Sequence, residues 1–135
     1  MTHLLDTSAL LTHYLAEPGA ERVQALLEDD AVVAGASILS LYEFELRLHQ
    51  LGVEATSRAA ELNRYRALLN EVVDVNEAVR SEAIRLRTAA TAHVAAMDVL
   101  IAATASLKNA TLVHRGPHFA AIPGNLLKQE SLPAK

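Results

Sequence analysis

Apolar positions along the chain form short continuous runs, separated by longer stretches with a different spacing. Four of these runs predict β-strands, at residues 3–5, 31–34, 72–75 and 111–113. The runs are continuous rather than alternating, which is typical of strands buried on both faces of a parallel sheet. The sequence therefore predicts a sheet whose two faces are both covered.

Between the strand runs, apolar residues recur every three or four positions, which predicts amphipathic helices. These stretches cover residues 10–15, 23–27, 37–51, 62–69, 79–90 and 98–108. Strands and helices thus alternate, with extra helices inserted between some strands. This order predicts an α/β fold, a three-layer α/β/α domain around a central parallel sheet. After Gly124 the pattern is weak, and we expect little regular structure there.

Composition narrows the class of protein. The chain has 135 residues, the length of one domain, and it contains no cysteine, which excludes disulfides and thiolate zinc sites. We find neither a signal-peptide pattern at the start nor an apolar run near the roughly 20 residues of a membrane span. We therefore expect a cytoplasmic protein with no membrane partner.

Charge is distributed unevenly along the chain. Residues 1–45 carry eight acids and one base (1 − 8 = −7), whereas the remainder carries eleven bases and eight acids (11 − 8 = +3). The second part therefore has the means to form a basic surface for nucleic acid, or simply solvated helix faces with interspersed glutamates. The arginines concerned are Arg47, Arg58, Arg64, Arg66, Arg80, Arg85 and Arg87.

Three acidic residues lie in apolar surroundings. Asp6 follows the run Leu4-Leu5, Glu43 shares a helix face with apolar residues, and Asp98 interrupts the stretch HVAAMDVLIAATA. An unpaired buried carboxylate costs several kcal/mol unless its pKa rises until it is neutral. Each of these acids therefore needs a compensating partner.

Helix capping is the structural alternative for each acid. Asp6, Thr7 or Ser8 could cap the first helix, the segment Ser40-Leu41-Tyr42-Glu43 matches a capping box, and Asp98 could cap the helix that follows it. Glu45 also has apolar flanks like those of Glu43, and spacing does not choose between these two glutamates.

The position of the acids in the predicted fold favours a shared site. In a parallel sheet, the carboxyl ends of strands and the amino ends of the following helices lie at the same edge. Asp6 and Asp98 would therefore converge, and a hard divalent cation such as Mg²⁺ or Mn²⁺ is the simplest counter-charge for clustered carboxylates. Such a site is suited to phosphoryl chemistry.

The segments LLDTSALL, LSLYEFEL, AMDVLIAATA and TLVHRGPHFAAIPG together resemble PIN-domain ribonucleases, and more narrowly the VapC-type toxins of type II toxin–antitoxin pairs. The resemblance runs from about Thr2 to about Leu126, so we assign residues 1–126 to a PIN domain and residues 127–135 to a C-terminal tail.

The resemblance implies a metal-dependent endoribonuclease that hydrolyses RNA phosphodiester bonds with Mg²⁺ or Mn²⁺. Asp6, Glu43 and Asp98 match the family's metal-binding and catalytic acids. Thr7 or Ser8 matches a hydroxyl that lies near the metal in the family, and we assign this position to Ser8. The match favours Glu43 over Glu45. The resemblance also implies a cognate antitoxin as partner and a homodimer.

The turn after the fourth predicted strand departs from the family pattern. Gly116 stands where a fourth acid is usual and His118 where another acid follows, and His114 lies in the same turn. Three acids could suffice for activity, or His114 or His118 could add a nitrogen ligand and favour Mn²⁺. As a further alternative, the chain is a catalytically weakened or silent PIN module that binds an antitoxin or RNA.

Two other enzyme classes fit the sequence less well. A phosphatase of the haloacid-dehalogenase kind needs a second acid two residues after Asp6, where Ser8 stands. A dinucleotide-binding enzyme needs a Gly-x-Gly-x-x-Gly motif after the first strand, and the chain has none there.

Overall fold

The structure, a computed structural model, describes residues 1–135 and contains five strands, six α-helices and one short 3₁₀ helix. The strands are β1 (His3–Leu5), β2 (Ala34–Ser37), β3 (Glu71–Val73), β4 (Thr111–His114) and β5 (Gln129–Ser131). The helices are α1 (Thr7–Tyr14), α2 (Ala20–Glu28), α3 (Ile38–Gln50), α4 (Ala55–Leu68), α5 (Glu77–Ala89) and α6 (Ala96–Leu107), with the 3₁₀ helix at Pro117–Ala121. None of the helices combines the length and apolar character needed to cross a membrane.

The five strands form one parallel sheet in the order β3-β2-β1-β4-β5. β1 is the central strand, and Leu4 lies beside Gly35 of β2 and Leu112 of β4. All neighbouring strands run in the same direction because helices carry the chain back between them. The carboxyl ends of β1 and β4 therefore lie side by side at one edge of the sheet.

Helices cover both faces of the sheet. Leu4 and Leu112 belong to a core cluster built with apolar residues of α5 and α6. Their sequence neighbours Leu5 and Val113 point the other way and belong to a second cluster with residues of α1, α2, α3 and α4. Successive side chains of a strand alternate between faces, so both faces of these strands are apolar. The three-layer α/β/α architecture predicted from the sequence is confirmed.

The second strand lies further along the chain than predicted. The prediction placed it at residues 31–34, but β2 is Ala34–Ser37, and its four residues are all buried. Asp30 and Ala31 form a turn, in which the Ala31 N–H bonds to Asp29 Oδ1 at 2.9 Å, and Val32 and Val33 connect this turn to β2. Space is limited at Gly35 of β2, where a Cβ would lie 3.0 Å from the Glu71 backbone oxygen and would also displace the end of the Met1 side chain. Burial, rather than β-propensity, determines the position of this strand.

The C-terminal segment contains a strand that the sequence pattern did not predict. β5 pairs in parallel with β4, although its residues are Gln, Glu and Ser. Leu127 and Leu132 flank it, and each packs into one of the two core clusters. The salt bridge from Arg22 Nε to Glu130 Oε2, at 2.8 Å, connects this edge strand to α2. Residues after Gly124 are thus ordered by packing against the sheet.

We predict that Leu132→Ala destabilises the protein by about 2–4 kcal/mol, because it removes a buried side chain from the core. Leu132 is 4% exposed, whereas Leu107 is 46% exposed, so Leu107→Ala is the matched control and should cost less than about 0.5 kcal/mol. Urea unfolding of both variants measures the difference. Equal stability of the two variants would contradict the packing of the C-terminal segment.

Candidate active site

Asp6 lies at the junction of β1 and α1, where it serves as the N-cap of α1. Its backbone is extended (φ −80°, ψ 179°), and its Oδ1 accepts a hydrogen bond from the Ala9 N–H at 3.0 Å. Its own N–H donates to the Val113 carbonyl of β4 at 3.1 Å. The capping interpretation is therefore correct for Asp6, and capping also fixes the carboxylate at the edge of the sheet.

Ser8 connects Asp6 to the turn after β4. Its hydroxyl donates to Asp6 Oδ1 at 2.6 Å and accepts the N–H of Arg115 at 2.9 Å. Every hydrogen bond received by the Asp6 carboxylate reaches Oδ1, so Oδ2 has no hydrogen-bond partner. In this structure the Ser8 hydroxyl orients Asp6. The proximity of the Ser8 hydroxyl to a bound cation stays a prediction.

The Asp6 carboxylate is buried without an opposite charge in ion-pair contact. Burial raises its pKa from 3.8 to about 6, an effect that the hydrogen bonds from Ser8 and Ala9 oppose. The nearby Asp98 carboxylate raises the pKa further, and the His118 side chain lowers it. A cation placed beside Asp6 would oppose this shift, because it stabilises the charged form of the carboxyl group.

Glu43 enters the same region from α3. The Thr7 hydroxyl of α1 donates to Glu43 Oε1 at 2.6 Å, leaving Oε2 without a hydrogen bond. Glu45 points elsewhere and accepts from Arg58 Nε at 3.4 Å. Glu43 and Glu45, which the sequence spacing did not distinguish, therefore lie on different faces of α3, and Glu43 is the one that faces α1.

The predicted capping box beginning at Ser40 is wrong. The N-cap of α3 is Ser37, whose side chain accepts from the Leu39 N–H at 3.1 Å. Ser40 lies inside the first turn and is fully buried, and Glu43 bonds to Thr7 instead of to a helix end. Glu43 is thus available to the cleft.

Asp98 lies in the first turn of α6 without capping it. The N-cap is Ala95, which offers no side-chain bond, so the capping interpretation is wrong for Asp98. The amino end of a helix favours a negative charge at this position. Asp98 Oδ2 is 3.4 Å from His118 Nε2, and no group of the protein bonds to Oδ1.

These side chains line one open cleft of about 450 Å³. Its walls are formed by Asp6, Thr7, Ser8, Leu11, Glu43, Asp98, Arg115, Gly116 and His118. Asp6, Glu43 and Asp98 come from three different elements. Asp6 and Glu43 each have one carboxylate oxygen hydrogen-bonded and one free, and the Asp98 carboxylate makes only the 3.4 Å contact with His118. The structure thus brings all three predicted acids to the carboxyl edge of β1 and β4.

The donor set suits a hard divalent cation. Free carboxylate oxygens are the ligands that Mg²⁺ and Mn²⁺ prefer, and neither Asp6 nor Glu43 has a salt-bridge partner in the protein. No three His, Asp or Glu side chains stand close enough together to hold a metal ion as they are arranged here. A cation bound in the cleft would therefore have to draw these side chains together.

The two histidines predicted to lie in the turn have different surroundings, because His114 is the last residue of β4 and only His118 follows the strand, in the 3₁₀ helix. His114 is 4% exposed, and its Nε2 contacts Gln129 Oε1 of β5 at 3.0 Å. Burial lowers the pKa of His114, which keeps its imidazole neutral near pH 7. His118 instead lines the cleft. His93, which precedes α6, lies outside the cleft, with its Nδ1 3.3 Å from Arg87 Nη2.

Arg115 has a structural role that the sequence did not reveal. Its guanidinium bonds to Glu17 Oε1 at 2.7 Å and to the Pro18 and Pro133 carbonyls at 2.6 and 3.0 Å. These contacts join the turn after β4 to the α1–α2 connection and to the C-terminus. The Arg115 N–H bonds to Ser8, so the same residue also supports the Asp6 network.

Most of the arginines considered for a basic surface are neutralised. Arg58, Arg64, Arg80 and Arg85 form salt bridges with glutamates. Arg47 and Arg66 are exposed and have no salt-bridge partner, and Arg87 contacts His93. Any nucleic-acid surface in this region would therefore depend on a few of the seven arginines.

A parallel α/β/α fold with carboxylates around one edge defines the structural class, and comparison with known proteins identifies the family. Residues 3–125 match the PIN domain family. The chain belongs to the PIN domain family. A comparison with proteins of curated function finds no match.

Solved structures with the same fold share little sequence with this chain. VapBC2 from Rickettsia felis, bound to a DNA fragment from its promoter, aligns with a TM-score of 0.80 and 22% identity over 98% of this chain and 100% of that chain. A toxin–antitoxin complex from Klebsiella pneumoniae aligns with a TM-score of 0.65 and 23% identity over 91% and 94%. VapC20 from Mycobacterium tuberculosis, a Sarcin-Ricin loop cleaving toxin, aligns with a TM-score of 0.68 and 16% identity over 89% and 94%.

We predict that Asp6→Asn stabilises the metal-free protein above pH 6, because it removes a buried charge. Between pH 3.8 and about 6 the folded wild type binds more protons than the unfolded chain, so its unfolding free energy falls as pH rises. The variant lacks this loss, which is on the order of 2–3 kcal/mol at about 1.4 kcal/mol per pKa unit.

Thermal unfolding in a chelating buffer measures this difference across the pH range. The two proteins should converge below pH 3.8, where Asp6 is protonated in both states. A variant less stable than wild type at every pH would show that the Asp6 charge is already compensated within the protein.

Proposed function

We propose that the chain is a divalent-cation-dependent endoribonuclease and the toxin of a toxin–antitoxin pair. The observation that carries this proposal is the convergence of Asp6, Glu43 and Asp98 on one cleft, with each carboxylate retaining a free oxygen. Membership of the PIN domain family supports nuclease chemistry for a cleft of this kind.

The chain's own residues hold the reaction centre in place. The Thr7 and Ser8 hydroxyls orient Glu43 and Asp6, and the amino end of α6 supports the charge of Asp98. A divalent cation bound by these acids would supply positive charge for a phosphodiester and would activate water for attack. With the cation bound, Asp6 works as a carboxylate, and below its pKa the proton competes with the cation.

RNA is the substrate that we propose. The cleft is open to solvent, so a single-stranded loop can reach the acids from outside. VapC20, which has the same fold, is described as a Sarcin-Ricin loop cleaving toxin, and this favours a structured RNA loop as the first substrate to test.

An antitoxin is the protein partner that we propose. The K. pneumoniae structure with this fold is a toxin–antitoxin complex. An antitoxin that occupies the cleft would need a cationic side chain, because the cleft presents three carboxylates. A homodimer and a cytoplasmic location remain predictions from the sequence.

A catalytically silent PIN module is the second candidate, and one observation favours it. Gly116 leaves the cleft without a fourth carboxylate, and the His118 imidazole lies beside Asp98 instead. Such a protein would bind RNA or an antitoxin without cleaving RNA.

We predict that Asp6→Asn and Asp98→Asn each lower metal-dependent RNA cleavage about a hundredfold or more. Charge stabilisation by a bound cation contributes several kcal/mol to a transition state, and each 1.4 kcal/mol is about tenfold in rate. Cleavage of a structured RNA panel by the purified chain, with Mg²⁺ and separately with Mn²⁺, measures the effect.

Glu45→Gln is the matched control, because Glu45 lies on the same helix as Glu43 but pairs with Arg58 outside the cleft. Its activity should stay within about twofold of wild type, since it changes no group of the cleft. Full activity in both aspartate variants would contradict the nuclease proposal. Saturable RNA binding without turnover by the wild type would support the silent module.

A further inference from the structure

The His118 side chain stands in the cleft with a free nitrogen. It is the only histidine that lines the cleft, and its Nε2 lies 3.4 Å from Asp98 Oδ2. This distance is longer than a firm hydrogen bond, and no other polar group of the protein contacts the imidazole. The ring packs against Phe119 with centroids 4.6 Å apart, and Phe119 is fully buried. The imidazole thus rests against Phe119 on one side, and the His118 side chain is 46% exposed, so its nitrogen stays available.

Gly116 provides the space that the imidazole occupies. A Cβ at residue 116 would lie 2.1 Å from His118 Cε1 and 2.5 Å from Nδ1, far inside van der Waals contact. The backbone of Gly116 is ordinary extended chain (φ −85°, ψ 146°), so conformational freedom does not require glycine here. Any side chain at this position would displace the His118 ring from its place beside Asp98.

Glycine at residue 116 and histidine at residue 118, the two departures from the family pattern, are thus linked by the volume that they share. The turn lacks a carboxylate at residue 116, and the imidazole of His118 fills the volume that such a side chain would enter. A cleft with three carboxylates and one imidazole differs in chemistry from a cleft with four carboxylates. Mn²⁺ also favours oxygen ligands, but as a transition metal it accepts an imidazole nitrogen more readily than Mg²⁺ does.

We propose that His118 is a nitrogen ligand for the cation bound beside Asp98, and that Gly116 makes this ligation possible. The cleft accordingly prefers Mn²⁺ over Mg²⁺. This inference rests on the cation site of the proposed function, and it adds the identity of the fourth ligand and the class of metal. His114 does not line the cleft, and its Nε2 contacts Gln129 Oε1 at 3.0 Å, so the proposal concerns His118 alone.

The test is a Mn²⁺ titration of the purified chain, followed by an electron spin-echo measurement that detects nitrogen coupled to the bound Mn²⁺. Wild type should show a directly coupled imidazole nitrogen, and His118→Ala should lose it. His118→Ala should also weaken Mn²⁺ binding about tenfold or more while changing Mg²⁺ binding less than about twofold. His118→Asp should shift the preference towards Mg²⁺, because it restores an oxygen ligand.

Substitutions of glycine test the role of Gly116 while residue 118 stays histidine. Gly116→Ala should reproduce the loss of nitrogen coupling, because its Cβ takes the place of the ring. Gly124→Ala is the matched control, since a Cβ there meets nothing within 4 Å, and it should keep the wild-type signal. Circular dichroism on each variant verifies that the fold is intact.

Three results would overturn the inference: no nitrogen coupling in the wild type, coupling that persists in His118→Ala, or tighter Mn²⁺ binding by His118→Ala. The last would show that the imidazole competes with the cation for Asp98. RNA cleavage measured in parallel separates the two proposals. Metal-dependent cleavage without His118 coupling retains the nuclease and rejects this ligand, whereas absence of both cation binding and cleavage rejects both.

Discussion

The buried carboxylate of Asp6 is the constraint on which both the fold and the cleft depend. Its Oδ1 caps α1, and its N–H bonds to the Val113 carbonyl, so one residue fixes how α1 leaves the sheet and how β1 meets β4. The same burial leaves a negative charge without a counter-ion in the protein, and this raises the pKa of Asp6 to about 6. Positive charge bound at this edge of the sheet would therefore stabilise the ionised form of Asp6.

Two hydroxyl groups of α1 orient the carboxylates that line the cleft. Ser8 and Thr7 are consecutive residues at the start of α1, and they donate to Asp6 and Glu43 respectively. Each hydroxyl occupies one oxygen of its carboxylate and leaves the other free, so two acids from different elements are oriented by one turn of helix. Arg115 completes the arrangement, because its N–H bonds to Ser8 while its guanidinium fastens the turn to the C-terminal segment.

The sequence was sufficient to predict the layers, the parallel sheet and the presence of Asp6 and Asp98 at one edge, because these follow from periodicity and topology. It misplaced β2 and missed β5, since both are determined by close packing rather than by the propensities of their residues. The contact that separates Glu43 from Glu45 spans α1 and α3 and therefore has no local pattern. The position of the His118 ring likewise depends on the empty volume beside Gly116, which has no signature in the sequence.

A divalent cation that compensates the carboxylates of Asp6, Glu43 and Asp98 must stabilise the folded protein, which thermal unfolding of the wild type against Mg²⁺ and Mn²⁺ concentration measures. A ligand that binds only the folded state adds about 1.4 kcal/mol of stability for each tenfold rise in its concentration above Kd. We predict that Tm near neutral pH changes little below Kd and rises with the logarithm of cation concentration above it, and that this rise is lost in a variant that carries Asn at both aspartate positions. A wild-type Tm that does not respond to either cation would contradict the account.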